Sequence, residues 1–222
     1  MKNNIVGLIP VKSSSDRVKQ KNLRPFADTN LYELKLKQLS KTKNFTDFFV
    51  SSESTEVLEL AKTYGFNTHK RDPKYSTSDI PMSEVYSYIA SEINGENIAW
   101  INVTNPLAEA EVYDNAVKKY EQINKEHDCL LSAYELKENI FYNGKPVNFQ
   151  AYPWPKSQDL KGTFALSFVI NILKRKDMIK WGSCVGNRPY LYELNTITSW
   201  DIDFQEDFDF CESIYKKRKN NI

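Results

Sequence analysis

Two groups of side chains, at opposite ends of the chain, have types and spacing that suit phosphate and metal chemistry. Near the start, Pro10-Val11-Lys12-Ser13-Ser14-Ser15-Asp16-Arg17-Val18-Lys19-Gln20-Lys21-Asn22-Leu23 combines Lys12, Arg17, Lys19 and Lys21 with a serine run, directly after an apolar stretch. A polyphosphate needs several cations together with backbone N–H donors, and a loop leaving a buried strand supplies both. A solvated charged loop has the same composition, and residue types alone leave the two readings even. Near the other end, Ser199-Trp200-Asp201-Ile202-Asp203 sets two carboxylates on one side of an extended chain. Like charges held close are costly without a cation between them, and hard oxygen ligands suit Mg2+, which often links carboxylates to phosphates. The competing reading is a polar turn leading into the acidic run Glu206, Asp207 and Asp209, and for the pair alone it is the favoured one.

Two weaker groups lie between them. Lys70-Arg71-Asp72-Pro73 is followed by Asp79 and Ser83, and Asn102-Val103-Thr104-Asn105-Pro106-Leu107 follows an apolar run. His69 and His127 stand in no metal-ligand spacing with a cysteine, so zinc or Ser-His-Asp chemistry has little material.

The elements that must position these groups alternate along the chain. Ile5–Ile9 is a continuous apolar run ended by Pro10, the signature of a strand buried on both faces. Leu31, Leu34, Leu36 and Leu39 predict a helix capped by Asn30. Strands are predicted at Phe45–Val50, Phe66–His69, Asn97–Val103 and Asp128–Tyr134, with helices from Ser54 or Thr55 to Gly65, Ser83 to Ile93 and Glu109 to Ile123. Alternation of this kind predicts an α/β fold: a Rossmann-like, mainly parallel sheet flanked by helices, with ligands at the carboxyl ends of the strands. Residues 136–181 are rich in aromatics and prolines and read as an arm inserted within a single domain over 1–222. After a last strand at Tyr190–Leu194 and the acidic segment, Lys216-Lys217-Arg218-Lys219 reads as a fraying helix end, where cations favour the dipole.

Composition excludes several classes. Over 222 residues, 41% hydrophobic and 27% charged content suits a soluble globular chain rather than a disordered or collagen-like one. Thirty basic against 29 acidic residues leave a net charge of +1, so no broad nucleic-acid surface is expected and anion chemistry must be local. The widely spaced Cys129, Cys184 and Cys211 suit a reducing compartment and a cytoplasmic protein. No apolar run is long enough to cross a membrane. Seven glycines are few for a nucleotide-binding protein, and this argues against an ordinary glycine-rich phosphate loop.

The order and spacing of these pieces resemble the acylneuraminate cytidylyltransferases, the CMP-sialic acid synthetases, over nearly the whole chain. That family opens with a strand and a Pro-Ala-Arg-x-Gly-Ser-(five residues)-Lys-Asn pattern, on which Pro10, Lys12, Ser15, Arg17, Lys21 and Asn22 fall without a gap. Its Arg-Pro…Leu-x-x-Asp segment is similar to Arg71 through Asp79, and its Gln-Pro-Thr-Ser-Pro-Leu to Asn102 through Leu107. Its Arg-x-Gln-Asp-Leu element is matched loosely by Lys156-Ser157-Gln158-Asp159-Leu160. Its closing Asp-Ile-Asp-x-x-x-Asp-Phe is kept as Asp201-Ile202-Asp203 with Asp207-Phe208.

The resemblance implies a nucleotidyltransferase-type fold and an enzyme of nucleotide-sugar biosynthesis for cell-surface polysaccharide. It would transfer CMP from CTP to a hydroxyl of an acidic, nonulosonate-like sugar, with release of pyrophosphate and dependence on Mg2+. By the resemblance, Asp201 and Asp203 hold the metal and Lys21 stabilises the leaving group. Lys12, Ser13, Ser14, Ser15 and Arg17 line the triphosphate, and Asn22, Arg71 and Ser83 contact cytidine. Asn102, Thr104 and Gln158 face the acceptor, and the aromatic segment is a dimerisation arm, so a homodimer is expected.

Departures fall unevenly. Lys12 stands where the family has arginine, which exchanges a bidentate fork for a point charge, and Ser13 and Ser14 stand where glycines are usual. Asn102 replaces a glutamine, and no arginine precedes Gln158. The nucleotide half is thus kept and the acceptor half is divergent. Three alternatives follow: a cytidylyltransferase for a non-sialic anionic acceptor, a glycosyltransferase using the same acid pair, and a nucleotide-binding homologue without catalysis.

Overall fold

The computed structural model describes residues 4–13, 18–123 and 125–220. Its strands are β1 (Ile5–Pro10), β2 (Pro25–Phe26), β3 (Thr29–Asn30), β4 (Asp47–Ser52), β5 (Asn67–Lys70), β6 (Asn97–Trp100), β7 (Cys129–Glu135), β8 (Phe141–Tyr142), β9 (Lys145–Pro146), β10 (Phe164–Lys174) and β11 (Pro189–Glu193). The helices are α1 (Leu31–Leu39), α2 (Thr55–Thr63), α3 (Met82–Glu92), α4 (Ala110–Ile123), α5 (Arg175–Trp181), α6 (Thr196–Ser199) and α7 (Gln205–Asn220).

Seven strands form the main sheet in the order β11-β7-β10-β6-β1-β4-β5. β1 lies near the middle, parallel to both β4 and β6, because its apolar run can be buried on both faces. Alternate residues then choose sides. Ile5 and Ile9 join Ala99, Leu130 and Ile172 against α1, α2 and α4, whereas Val6 and Leu8 join Ile98, Leu131 and Leu173 against α3 and α5. Each such buried aliphatic side chain contributes about 2 kcal/mol. Asn30 caps α1 by accepting from Glu33 N at 2.8 Å, and Ser54 caps α2 by accepting from Val57 N at 3.3 Å.

Three features bear on the site, the first two of them differences from the sequence expectation. β6 ends at Trp100 rather than Val103, since Ile101 N makes a last bond to Leu8 O at 2.9 Å just before β1 ends at Pro10. The expected arm divides: β10 inserts antiparallel between β6 and β7, and α5 packs under α3, so residues 164–181 belong to the main sheet and its helix layer. The short hairpin β8–β9 and the following proline-rich stretch remain outside it. Finally, the basic tail is the last turn of α7, where Arg218 Nη1 donates to Leu107 O at 3.0 Å and Lys219 pairs with Asp28 at 2.6 Å. α7 covers a third cluster, in which Phe26, Leu31 and Leu34 meet Leu107, Ile202 and Phe208.

Candidate active site

The carboxyl ends of β1 and β6 open into a cavity of about 350 Å³. β1 contributes Pro10, the following loop Lys12, Lys21 and Asn22, and the segment after β5 Arg71, Ser76 and Ser78. Asn102, Val103 and Thr104 enter from the end of β6, and Asp201 and Asp203 from the turn before α7. The basic loop and the acid pair, nearly two hundred residues apart, therefore face one space.

Hydrogen bonds hold the basic side in place. Lys21 Nζ donates to Ile202 O at 2.5 Å and lies 3.9 Å from Asp203 Oδ1. Lys12 Nζ donates to Thr77 O at 3.2 Å, and Asn22 Nδ2 donates to Lys12 O at 3.2 Å. Asn22 is nearly buried and its Oδ1 has no hydrogen-bond partner among the described residues. Glu53 receives Ser13 N and Ser13 Oγ on one oxygen, at 2.8 and 2.7 Å, and Ser76 Oγ on the other at 3.0 Å. Burial would raise the Glu53 carboxyl; the hydrogen bonds from Ser13 and Ser76 outweigh it and hold it below the usual range. Arg71 is fully buried: Nε donates to Ser51 Oγ at 3.1 Å, and Nη2 to Val11 O at 3.2 Å and to Ser51 O. Burial holds its guanidinium below the ordinary arginine value against the pull of Glu53. Arg71 thus ties the ends of β1 and β4 together where it borders the cavity.

Asp201 and Asp203 also line a second cavity, of about 490 Å³, on the other side of the turn. Its walls are Tyr134, Leu166, Ser167, Phe168, Thr196, Ser199, Trp200, Phe204 and Asp207, and among the described residues no lysine, arginine or histidine lines it. Asp207 accepts from Trp200 Nε1 at 3.1 Å, Asp203 N at 3.0 Å and Phe204 N at 2.8 Å. Burial pushes its carboxyl up and these backbone bonds bring it below the ordinary value. Phe168 sits at φ +52° where the register of β10 slips between Leu166 and Asn171. A left-handed conformation costs a bulky residue about 1–2 kcal/mol, and such strain concentrates where a side chain must be aimed. The Oγ atoms of Ser167 and Ser199 are buried with no hydrogen-bond partner among the described residues. Among those residues no three or more His, Cys, Asp or Glu side chains are grouped to hold a metal.

Between the cavities and the core lies Lys35, on α1 and fully buried. Burial pushes its amine down to about 7, against the opposing pull of Glu109 and Asp201.

This arrangement can be set beside known proteins. A family model described as cytidylyltransferase matches residues 6–222. The chain belongs to the cytidylyltransferase family. Members of the family are CTP-dependent nucleotidyltransferases, and this chain is one of them. It is 22% identical to the post-translational flagellin modification protein B of Campylobacter coli over 96% of both chains. It is likewise 22% identical to the pseudaminic acid cytidylyltransferase of Campylobacter jejuni, over 94% of this chain and 95% of that one. N-acylneuraminate cytidylyltransferase A of Danio rerio is 23% identical over 94% of this chain, which spans about half of that longer protein. A structure of CMP:2-keto-3-deoxy-manno-octonic acid synthetase complexed with CTP superposes with a TM-score of 0.70 at 8% identity, covering 97% of this chain and all of that one. The fold is shared with that synthetase.

In this cytidylyltransferase the structure sorts the residues singled out in the sequence. Lys12, Lys21, Asn22, Arg71, Asn102, Thr104, Asp201 and Asp203 border one cavity. Asn102 Oδ1 accepts from Trp100 Nε1 at 3.1 Å. Ser13 is turned to Glu53 and is not part of that lining. Ser14, Ser15 and Arg17 lie outside the described residues. Ser83 departs from its expected place at cytidine. α3 begins at Met82, and helical spacing gives the cavity Met82 and Val85 while Ser83 faces α5, where its carbonyl oxygen would lie 2.7 Å from a Cβ on Gly182. Gln158 departs too: it is exposed on the short turn Ser157–Asp159 and lines neither cavity, because that stretch lies off the sheet. Glu53 and Lys35 were not anticipated. Lys35 carried a signal, a charged residue four positions from both Leu31 and Leu39 on the apolar stripe of α1.

Proposed function

We propose that this enzyme transfers CMP from CTP to a hydroxyl of an acidic, nonulosonate-like sugar, the first cavity holding CTP and the second the acceptor. The observation that supports this most is the sharing of Asp201 and Asp203 by two cavities of opposite character, one bordered by Lys12 and Lys21, the other by aromatic rings and hydroxyls. The printed names of the relatives, which include pseudaminic and N-acylneuraminic acid cytidylyltransferases, agree with an acidic sugar.

In the reaction the acceptor oxygen bonds to the α-phosphorus of CTP, the bond from that phosphorus to the bridging oxygen breaks, and pyrophosphate leaves. The hydroxyl proton passes to water. Lys12 and Lys21 offset the charge of the phosphates and of the departing pyrophosphate, so catalysis rests on positioning and electrostatics. The hard oxygens of Asp201 and Asp203 would hold Mg2+, which would supply charge neutralisation at the phosphates and a lowered pKa for the acceptor hydroxyl. Trp200, Phe168 and Tyr134 offer apolar faces to a sugar ring, and the unpartnered hydroxyls of Ser167 and Ser199 offer it hydrogen bonds.

A second reading keeps the chemistry and takes a non-sialic anionic acceptor, because the described lining of the second cavity holds no cation to clamp the carboxylate of a sialic acid. We also propose a homodimer formed through the arm, where Phe141 and Trp154, 57% and 66% exposed, both pack on Phe149 and make one aromatic patch beside the exposed Tyr142. The reading places the enzyme in the cytoplasm, where CTP is made; no described helix is long and apolar enough to cross a membrane.

The test is pyrophosphate release from CTP and Mg2+ with N-acetylneuraminate, pseudaminate, 3-deoxy-manno-octulosonate and a neutral hexose. Release with an acid sugar and not with the hexose supports the reading. CTP should raise the melting temperature more than ATP, GTP or UTP, and equal shifts for all four would sink the cytidine assignment.

A further inference from the structure

Burying an ammonium group is costly, and a methionine would fill the same space without that cost, so the retention of Lys35 calls for a role. Its Nζ donates to Asn105 O at 2.8 Å and to Tyr113 Oη. One turn along α1, Gln38 Nε2 donates to Pro106 O at 2.7 Å. α1 therefore receives the carbonyls of the turn that follows β6. The other side of that turn meets the acid pair. The buried Asn105 side chain donates through Nδ2 to Ser167 O and Trp200 O, both at 3.1 Å, while Ile202 N donates to Thr104 O at 3.0 Å. Asp201 is bracketed by these bonds: Asn105 holds the peptide before it and Thr104 the peptide after it.

We propose that Lys35, acting through Asn105, is a positioning residue for the Asp201–Asp203 pair, fixing the turn on which the divalent-cation site of the reaction depends. The proposal rests on the metal-holding reading of that pair and adds to it a residue that touches no substrate. A plain structural plug would stabilise the fold and leave the response to the cation alone. A strut beneath the pair would govern that response.

The experiment is calorimetric binding of CTP to the full chain, with saturating Mg2+ and with EDTA, for wild type and Lys35→Met. Mg2+ should tighten CTP binding to the wild type. In Lys35→Met the EDTA affinity should stay within threefold while the gain from Mg2+ shrinks about tenfold, the size of one buried hydrogen-bond link. An undiminished gain in a folded Lys35→Met overturns the strut, as does an equal weakening with and without Mg2+. Should Lys35→Met fail to fold, Asn105→Leu, which keeps the main-chain oxygen held by Lys35 and cuts the next step, from Nδ2 to Trp200 O, is read by the same criterion. A wild type that binds CTP without responding to Mg2+ overturns the metal reading and the strut with it. A wild type that does not bind CTP overturns the functional reading itself.

Discussion

The two cavities that meet at Asp201 and Asp203 are built by different physics. The first cavity is charged and held largely by backbone groups: Lys21 is pinned to Ile202 O, Lys12 to Thr77 O, and Arg71 knots the ends of β1 and β4. The second cavity is aromatic and hydroxylic, and it carries a bulged strand with Phe168 in a left-handed conformation and two buried hydroxyls without partners among the described residues. A phosphate chain is the same in every CTP reaction, so its cradle can be made rigid and general. An acceptor differs from enzyme to enzyme, and its pocket is made from side chains that a few substitutions can change.

The largest effect that could break this comparison comes from the shared pair. Asp203→Asn keeps the shape and removes a charge, and pyrophosphate release should fall by about a thousandfold with the melting temperature nearly unchanged. Lys21→Met should lower kcat about a hundredfold, with little effect on the acceptor KM. Activity retained by Asp203→Asn would mean that the two cavities do not meet at a reacting centre.

Legibility in the sequence follows the same division. β1 was legible because a continuous apolar run has one good solution, burial between parallel neighbours. The loop after it and the acid pair were ambiguous by residue type alone and became legible only through their order in the family pattern; both border the same cavity. Ser83 was misplaced by one step of helical phase, since a motif fixes residue order but not which face a new helix turns inward. Residues 164–181 were assigned to the arm because strand pairing is nonlocal: nothing in Phe164–Lys174 says that it will run antiparallel between β6 and β7. Lys35 was passed over because a lysine in an amphipathic helix is ordinarily read as its wet side, and only the packed turn shows why it is buried. The second cavity was the least legible, since its walls come from β7, β10, α6 and the segment before α7, brought together by pairing alone.

Ser167→Ala and Ser199→Ala sharpen the contrast at an intermediate size. Each hydroxyl is buried without a partner among the described residues, so its removal should leave stability unchanged or slightly raised. If the acceptor supplies the missing bond, the acceptor KM should rise about tenfold for either variant while the CTP KM stays within twofold. A lower melting temperature with unaltered acceptor KM would assign these hydroxyls to packing and leave the second cavity without polar readers.

Glu53→Gln should give the smallest effect and tests the independence of the two halves. Glu53 ties the rim of the nucleotide side by accepting from Ser13 and Ser76, and these bonds keep its carboxyl below the ordinary range. A depressed carboxyl contributes stability in full above the ordinary carboxylate pKa and loses it as pH falls through the lower folded value. Wild-type CTP affinity should therefore weaken on the acid side as that carboxyl protonates. Glu53→Gln should start about threefold weaker at neutral pH, because neutral acceptors make weaker bonds than charged ones, and should lack that part of the acid dependence. The acceptor KM should not move in either case. Titration of CTP binding by fluorescence from acid to neutral pH, for both proteins, reads the difference. An acid limb that survives unchanged in Glu53→Gln would place the titrating group elsewhere, while a parallel rise in acceptor KM would show that the rim of one cavity sets the shape of the other.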